Sequence, residues 1–357
     1  MNKHLQQRPP SGLARAWPRQ SGVALITVLL VVALVSMIAV DMSERLRRQL
    51  TRTSTLMSLD AAKWVNIGAE GFARKILRQD FDDSSDKTHL SQYWASGEVT
   101  APLESGAIFT GELSDMRSCF NLNGVRAQES ELAQLQQTGE RPLAAKQFLA
   151  LLEQLEVDSY QAEIMVDSLT DWLDADDFVN QSGGAEDSEY QSRVKPYLAA
   201  NSSLVDIGEL RAINGFNQAV VDRIAPYVCV VPATRQWLLN VNTVEQPEQF
   251  VAAFSPNMTL SQAQQLMDDR PRDGFDTVDD MMSSQAFAGI EIPAQVKAGL
   301  TVLSDVFLLK AETRLDDGTK LRTEALLKHD SNNWTVISRR FGGRVERVLD
   351  SEAGESQ

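Results

Sequence analysis

The chain has 357 residues, 43% of them hydrophobic and only 7% aromatic, which suits one large or two ordinary globular domains and excludes collagenous or low-complexity structure. Net charge is −15, yet the first 22 residues carry four bases (Lys3, Arg8, Arg15, Arg19) and no acid, leaving −19 on the remainder. A body so acidic repels nucleic acid and anionic membrane faces.

The basic leader ends in Arg19-Gln20-Ser21-Gly22, after which Val23 to Val40 run 18 residues without a charge, up to Asp41. As a helix this run spans about 27 Å, close to a hydrocarbon core of about 30 Å. A secretory signal has a shorter apolar region, about 7–15 residues, followed by a small-x-small cleavage site. Ala39-Val40-Asp41-Met42 offers no such site. The pattern is that of a prepilin signal, cut between Gly22 and Val23. The apolar segment then stays on the mature protein and the leader's charge stays on the cytoplasmic side.

Met57, Ala61, Val65, Ala69, Phe72 and Ile76 recur at three- or four-residue steps, so the helix is expected to continue to about residue 79 as an amphipathic element. Its apolar stripe needs a cover, most simply a sheet from the same chain. Asp80–Asp86 reads as an acidic break, with short strands near Gly106–Leu113 and Asp115–Phe120. From Asn123 to Gly299 the signals are helical: Ala144–Leu155, Gln161–Leu173, Val205–Ala212, Gln218–Tyr227, Pro247–Phe254, Ser261–Asp269 and Pro293–Leu300. Val306–Thr313, Lys320–His329 and Trp334–Arg340, joined by Asp316-Asp317-Gly318 and Ser331-Asn332-Asn333 turns, read as a three-stranded meander.

The expected class is α+β, a long N-terminal helix packed on a small antiparallel sheet, with a large all-α insert domain containing helix-hairpin-helix-like repeats. The segments are a leader (1–22), the long helix (23–79, with 23–40 transmembrane) and a first part of the sheet domain (80–122). The α-helical insert (123–300), C-terminal strands (301–345) and a disordered tail (346–357) follow.

The two cysteines, Cys119 and Cys229, would be unrelated buried thiols in a cytosolic protein. In an exported body they would form a disulfide. The densest acidic constellation is Asp167, Asp171, Asp174, Asp176 and Asp177, followed after Gly183-Gly184 by Glu186 and Asp187. Asp167, Asp171 and Asp174 share one helix face at i, i+4 and i+7. Crowded carboxylates are relieved by a hard cation with six to eight oxygen ligands, such as calcium, although the spacing is not an EF-hand. A solvated acidic loop is the other reading of the same residues.

Catalytic groupings are missing from the sequence. The three histidines, His4, His89 and His329, make no Ser/His/Asp or Cys/His arrangement, and no P-loop, dinucleotide or H-E-x-x-H motif occurs. Ile213-Asn214-Gly215-Phe216 and Leu239-Asn240-Val241-Asn242-Thr243, each ahead of a helical run, look like helix-hairpin-helix units, which can bind DNA phosphate. Acids such as Asp206, Asp222, Asp268, Asp273 and Asp280 surround them, so a structural or protein-binding use is favoured. A membrane-anchored nucleic-acid receptor and an anchored hydrolase remain the alternatives of other classes.

The order of these features resembles the minor pseudopilin K proteins of type II secretion pathways over nearly the whole length. Ser21-Gly22-Val23-Ala24-Leu25, Ser118-Cys119-Phe120-Asn121-Leu122-Asn123 and Asp171-Trp172-Leu173-Asp174-Ala175-Asp176 carry the resemblance. So do Gly184-Ala185-Glu186-Asp187, Tyr190, Val228-Cys229-Val230-Val231-Pro232 and Leu239-Asn240-Val241-Asn242-Thr243. The resemblance implies a pilin-like body, prepilin peptidase cleavage after Gly22 and N-methylation of Val23. It also implies a tip complex with minor pseudopilins I and J, further contacts with H, the major pseudopilin G and the inner-membrane secretion platform, and no nucleic-acid ligand. It implies calcium held among Asp174, Asp176, Asp177, Glu186 and Asp187. Val23 departs from the Phe usual at that place. Thr27 departs further, standing where most pilins carry a Glu that pairs with a neighbour's N-terminal amine, and a neutral residue there suits a subunit with nothing ahead of it. The bland reading is a Thr hydroxyl bonded to a carbonyl one turn back.

Overall fold

A computed structural model describes residues 21–342 apart from 128–130, 132–134, 136, 233, 235, 331 and 332. The leader before Ser21, the Ser331-Asn332 part of the last turn, residues 343–345 and the tail 346–357 lie outside the described residues. The chain divides into two compact units, 1–58 and 59–357.

One helix, α1, runs from Ser21 to Asp83. In the first unit its side chains from Gly22 to Met57 are all exposed, and an 18-residue window reaches a mean hydropathy of 3.1 with nothing buried. The helix is long and apolar enough to cross a membrane. In the second unit α1 buries Ala62, Asn66, Glu70, Ala73, Leu77 and Asp80, a face with steps of three and four. This is not the stripe the apolar residues predict, since Phe72 stays 63% exposed. Polar partners on the sheet decide the rotation. Asn66 donates to the Leu321 carbonyl and Thr323 Oγ1 and accepts from Thr313 Oγ1, while Glu70 meets Arg339.

The expected acidic break also fails at its start. Asp80 is buried within α1, where it accepts the backbone N–H groups of Tyr93 and Trp94 at 3.0 and 2.9 Å. A carboxylate that anchors the following turn has no reason to end the helix.

The sheet is antiparallel throughout, in the order β1-β2-β7-β8-β9: β1 Val99–Pro102, β2 Ile108–Asp115, β7 Val306–Arg314, β8 Lys320–Asp330 and β9 Asn333–Phe341. The meander forms as the sequence predicts, with Leu309 opposite Ala325 and a bulge between Leu326 and Leu327. Ala73 and Leu77 of α1 pack with Leu113, Phe307, Leu309, Ala311, Leu327 and Trp334. Trp94 and Trp334 each meet Phe307 edge-on, at 5.0 and 5.4 Å.

Because β2 pairs with β7, everything between Asp115 and Val306 leaves and rejoins the sheet at one place, with Asp115 opposite Phe307. The intervening chain holds α2 Leu143–Gln154, α3 Ser159–Leu173, α4 Asp187–Gln191, α5 Gln218–Ile224, α6 Pro247–Ala253, α7 Leu260–Asp268, α8 Val278–Met282 and α9 Ala294–Ala298. They enclose a core of their own, including Phe148, Leu151, Met165, Leu169, Phe250 and Leu266.

The all-α expectation needs correction. Two short parallel pairs, β3 Phe120–Asn121 with β4 Val228–Cys229 and β5 Leu239–Asn240 with β6 Leu300–Thr301, hold this segment together. The strand expected over Asp115–Phe120 breaks because Asp115 Oδ1 accepts the Arg117 N–H and its carbonyl accepts the Ser118 hydroxyl, a local turn. Phe120 is then fixed by Phe148 and Trp237 at ring separations of 5.2 and 4.1 Å. Residues Ile207–Ala212 form a 3-10 rather than an α-helical turn, closed by an Asp206–Glu209 capping box.

Candidate cation site

Helix α3 ends at Leu173, and the chain loops out through Asp174–Gln181 and returns over Gly183 and Gly184 into α4. Both glycines are required by closeness. A Cβ at Gly183 would lie 3.0 Å from Cα of Ile164, and one at Gly184 would collide with the Asp171 carboxylate. The return is tied down by the Ser168 hydroxyl donating to the Gly183 carbonyl at 3.1 Å.

The three acids on the predicted helix face part company. Asp167 is saturated: Arg141 grips it from two nitrogens, at 2.7 and 3.0 Å, and the Gly183 N–H adds a third donor. Asp171, fully buried, accepts the backbone N–H and the side-chain amide of Asn180 on Oδ1 alone, while its Oδ2 has no hydrogen-bond partner. Asp174 repeats the pattern. Its Oδ2 takes the same Asn180 amide at 2.6 Å and its Oδ1 is buried without a partner.

Glu186 is only 3% exposed, and neither of its oxygens has a hydrogen-bond partner. Burial, then the charges of Asp171, Asp174, Asp177 and Asp176, push its pKa up to about 8. Burial likewise raises Asp171 to about 6, against the opposing hydrogen bonds from Asn180 and the Ala185 backbone. Asp174 also rises to about 6 through burial and the neighbouring Asp176 charge.

The other three predicted ligands are engaged nearby. Asp176 Oδ1 accepts the Phe178 N–H, and Asp177 Oδ1 accepts the Asn201 amide. Asp187, in the first turn of α4, accepts the Ala199 N–H. Asn201 holds a left-handed backbone, φ +45°, and its Oδ1 is buried without a partner. Asp171 and Asn201, not among the predicted ligands, also present buried oxygens without a partner here. Asp171 reads as an ordinary helix-face acid, and Asn201 lies in a loop with no acidic signature. Among the described residues no three acidic, histidine or cysteine side chains are already gathered closely enough to hold a metal ion.

The remaining site residues lie elsewhere. Gly22 and Val23 are in the first turn of α1, Val23 61% exposed. The Thr27 hydroxyl donates to the Ala24 carbonyl at 2.9 Å, one turn back. Cys119 and Cys229 are bridged, their Cα atoms 5.8 Å apart, beside Met116, Val231, Val306 and Leu326. The two units read as hairpins face inward. Gly215, φ +87°, presents its carbonyl to Gln161 and would meet Met165 at 3.0 Å with a Cβ, and Gly274 packs on Asn242. Helix-hairpin-helix repeats and a phosphate-facing backbone therefore gain no support here.

Comparison with known proteins agrees with this architecture. Two family models described as type II secretion system protein K match residues 118–233 and 239–302. The type II secretion system protein K of Aeromonas hydrophila is 34% identical, over 92% of this chain and 98% of its own. The Klebsiella pneumoniae protein of that name is 32% identical, over 91% and 97%. A crystal structure of the GspK-GspI-GspJ complex from enterotoxigenic Escherichia coli contains a chain 29% identical, with a TM-score of 0.72, covering 82% of this chain and all of that one.

Proposed function

The chain belongs to the type II secretion system protein K family and is a minor pseudopilin of the K type; from that premise we propose that it caps the pseudopilus tip and helps initiate its assembly. Prepilin peptidase removes residues 1–22 and Val23 is N-methylated. The helix from Val23 anchors the protein in the inner membrane, its body faces the periplasm, and it performs no chemistry of its own. Minor pseudopilins I and J are its tip partners, with H, the major pseudopilin G and the inner-membrane platform further along the assembly. The carrying observation is the likeness of 82% of this chain to a chain solved in a GspK-GspI-GspJ complex, beside the match to protein K relatives over about nine-tenths of its length.

Thr27 supports the leading position. A Glu there, in an apolar filament core, needs a neighbour's amine, and a buried carboxylate without one costs several kcal/mol. The hydroxyl of Thr27 needs only the Ala24 carbonyl.

Calcium fits the acidic site. The donors are all hard oxygens, and four of them, Asp171 Oδ2, Asp174 Oδ1 and both oxygens of Glu186, are buried without a hydrogen-bond partner. Asp176, Asp177 and Asp187, with Asn201, complete the surrounding shell. Calcium there would neutralise the mutual repulsion of the carboxylates and fasten the loop after α3 to the start of α4. Chelation should lower the unfolding midpoint, and Glu186→Gln should abolish the response.

The functional reading is tested by deleting the gene and restoring it on a plasmid. Export of folded periplasmic proteins across the outer membrane should stop and then resume. Export that continues without the gene would contradict the reading.

A further inference from the structure

Asn180 stands between two carboxylates and uses one oxygen of each. Its backbone N–H and side-chain Nδ2 reach Asp171 Oδ1 at 3.2 and 3.0 Å, and the same Nδ2 reaches Asp174 Oδ2 at 2.6 Å. The oxygens left over, Asp171 Oδ2 and Asp174 Oδ1, are the ones buried without a partner, together with both oxygens of Glu186. The Asn180 amide thus links one oxygen of each carboxylate, alongside the backbone N–H of Ala185 at Asp171 and of Asp176 at Asp174. Without the brace, two carboxylates at the end of one helix would swing apart to relieve their repulsion, because each is a short side chain with a rotatable terminal group.

We infer that Asn180 is a positioning residue of the cation site, bridging Asp171 and Asp174 so that their free oxygens point with Glu186 at one cation. The inference rests on the calcium reading above and adds to it the group that sets the site's geometry. Asn180 acts here through its amide nitrogen, which donates to both carboxylates. Ligating carboxylates are commonly held in this way by a hydrogen bond to the oxygen that does not bind, and loss of such a partner costs about 10–100-fold in metal affinity.

The experiment is calorimetric titration of the full-length, detergent-solubilised protein with calcium chloride, on wild type, Asn180→Leu and Glu186→Gln, with unfolding midpoints measured in chelator. Leu keeps the shape of Asn and removes the side-chain amide that reaches both carboxylates, while the backbone N–H to Asp171 stays. Asn180→Leu should weaken calcium binding about 10–100-fold and leave the midpoint in chelator near the wild-type value. Calcium binding by Glu186→Gln equal to wild type overturns the cation site and the inference with it. Loss of binding in Glu186→Gln with wild-type affinity in Asn180→Leu overturns the inference alone, as does a midpoint in chelator that falls in step with affinity. If Asn180→Leu does not fold, asparagine-labelled wild type decides. The Asn180 side-chain amide should remain hydrogen-bonded and protected from exchange at saturating calcium, and an amide released by calcium refutes its role.

Discussion

Glu70 on α1 and Arg339 on β9 form a two-point ion pair, Nε to Oε1 at 2.5 Å and Nη2 to Oε2 at 2.6 Å. It joins the long helix to the last strand of the sheet, across the whole order of the chain. The pair is unequal. Glu70 is 2% exposed, whereas the Arg339 side chain is 35% exposed. Removing one partner should therefore cost different amounts. Arg339→Ala strands a buried carboxylate and should destabilise by about 3–5 kcal/mol. Glu70→Ala leaves a guanidinium that reaches water, and should cost about 1–2 kcal/mol. Denaturant unfolding of both variants gives the order, and equal losses would contradict it.

The Cys119–Cys229 bridge closes a separation of 110 residues between the turn after β2 and strand β4. The chain-entropy estimate for such a loop is about 4–5 kcal/mol. Paired Cys→Ser replacement, or reduction, should lower stability by that order as measured in denaturant. A change under about 1 kcal/mol would mean that the unfolded chain is already compact there.

Asp115 gives a pH dependence with a definite sign. It is fully enclosed where the chain leaves the sheet, accepting Thr243 Oγ1 at 2.5 Å, Ser304 Oγ at 2.6 Å and the Arg117 N–H at 2.8 Å. Arg117, whose charge favours the ionised Asp115, is itself paired with Asp305 at 2.7 Å. Burial outweighs the three donors and raises the Asp115 pKa from 3.8 to about 6. An acid with a raised folded-state pKa holds its proton longer when folded, so its contribution to stability falls as pH rises from about 4 to about 6 and stays lost above. The loss should be on the order of 3 kcal/mol. Asp115→Asn should flatten that part of the stability curve, read by denaturant midpoints across the window.

Thr27→Glu places a carboxylate five residues into the retained helix. If the subunit leads the filament, no amine from a preceding neighbour meets it, and secretion by cells carrying the variant should fall. Wild-type secretion would argue that the position is unconstrained and that Thr27 does no more than bond to Ala24.

Much of this was legible before the structure. The meander announced itself because Phe307, Leu309 and Ala311 alternate toward α1 and both turns are rich in Asp, Asn and Gly. The apolar run from Val23 to Val40 stated its own length. What was hidden depends on partners far along the chain. The helix face was misassigned because Asn66 and Glu70 look solvent-facing until Thr313, Thr323 and Arg339 arrive from the other end. Strand β1 is too exposed to show alternation, and the two-residue parallel pairs carry no periodicity at all. In the acidic loop the sequence located the carboxylates and could not tell bonded oxygens from unbonded ones. Asp167 is taken up by Arg141, whereas Asp171 keeps an unbonded oxygen.

The central claim is that this subunit joins I and J at a pseudopilus tip. The direct measurement is co-purification of the tagged full-length chain, solubilised from membranes that also express pseudopilins I and J of the same genome, with the mass of the eluted species determined. One complex containing all three proteins, disrupted by none of the washes that leave the tagged chain bound, is the predicted result. The tagged chain eluting alone, with I and J together in a separate peak, would contradict it.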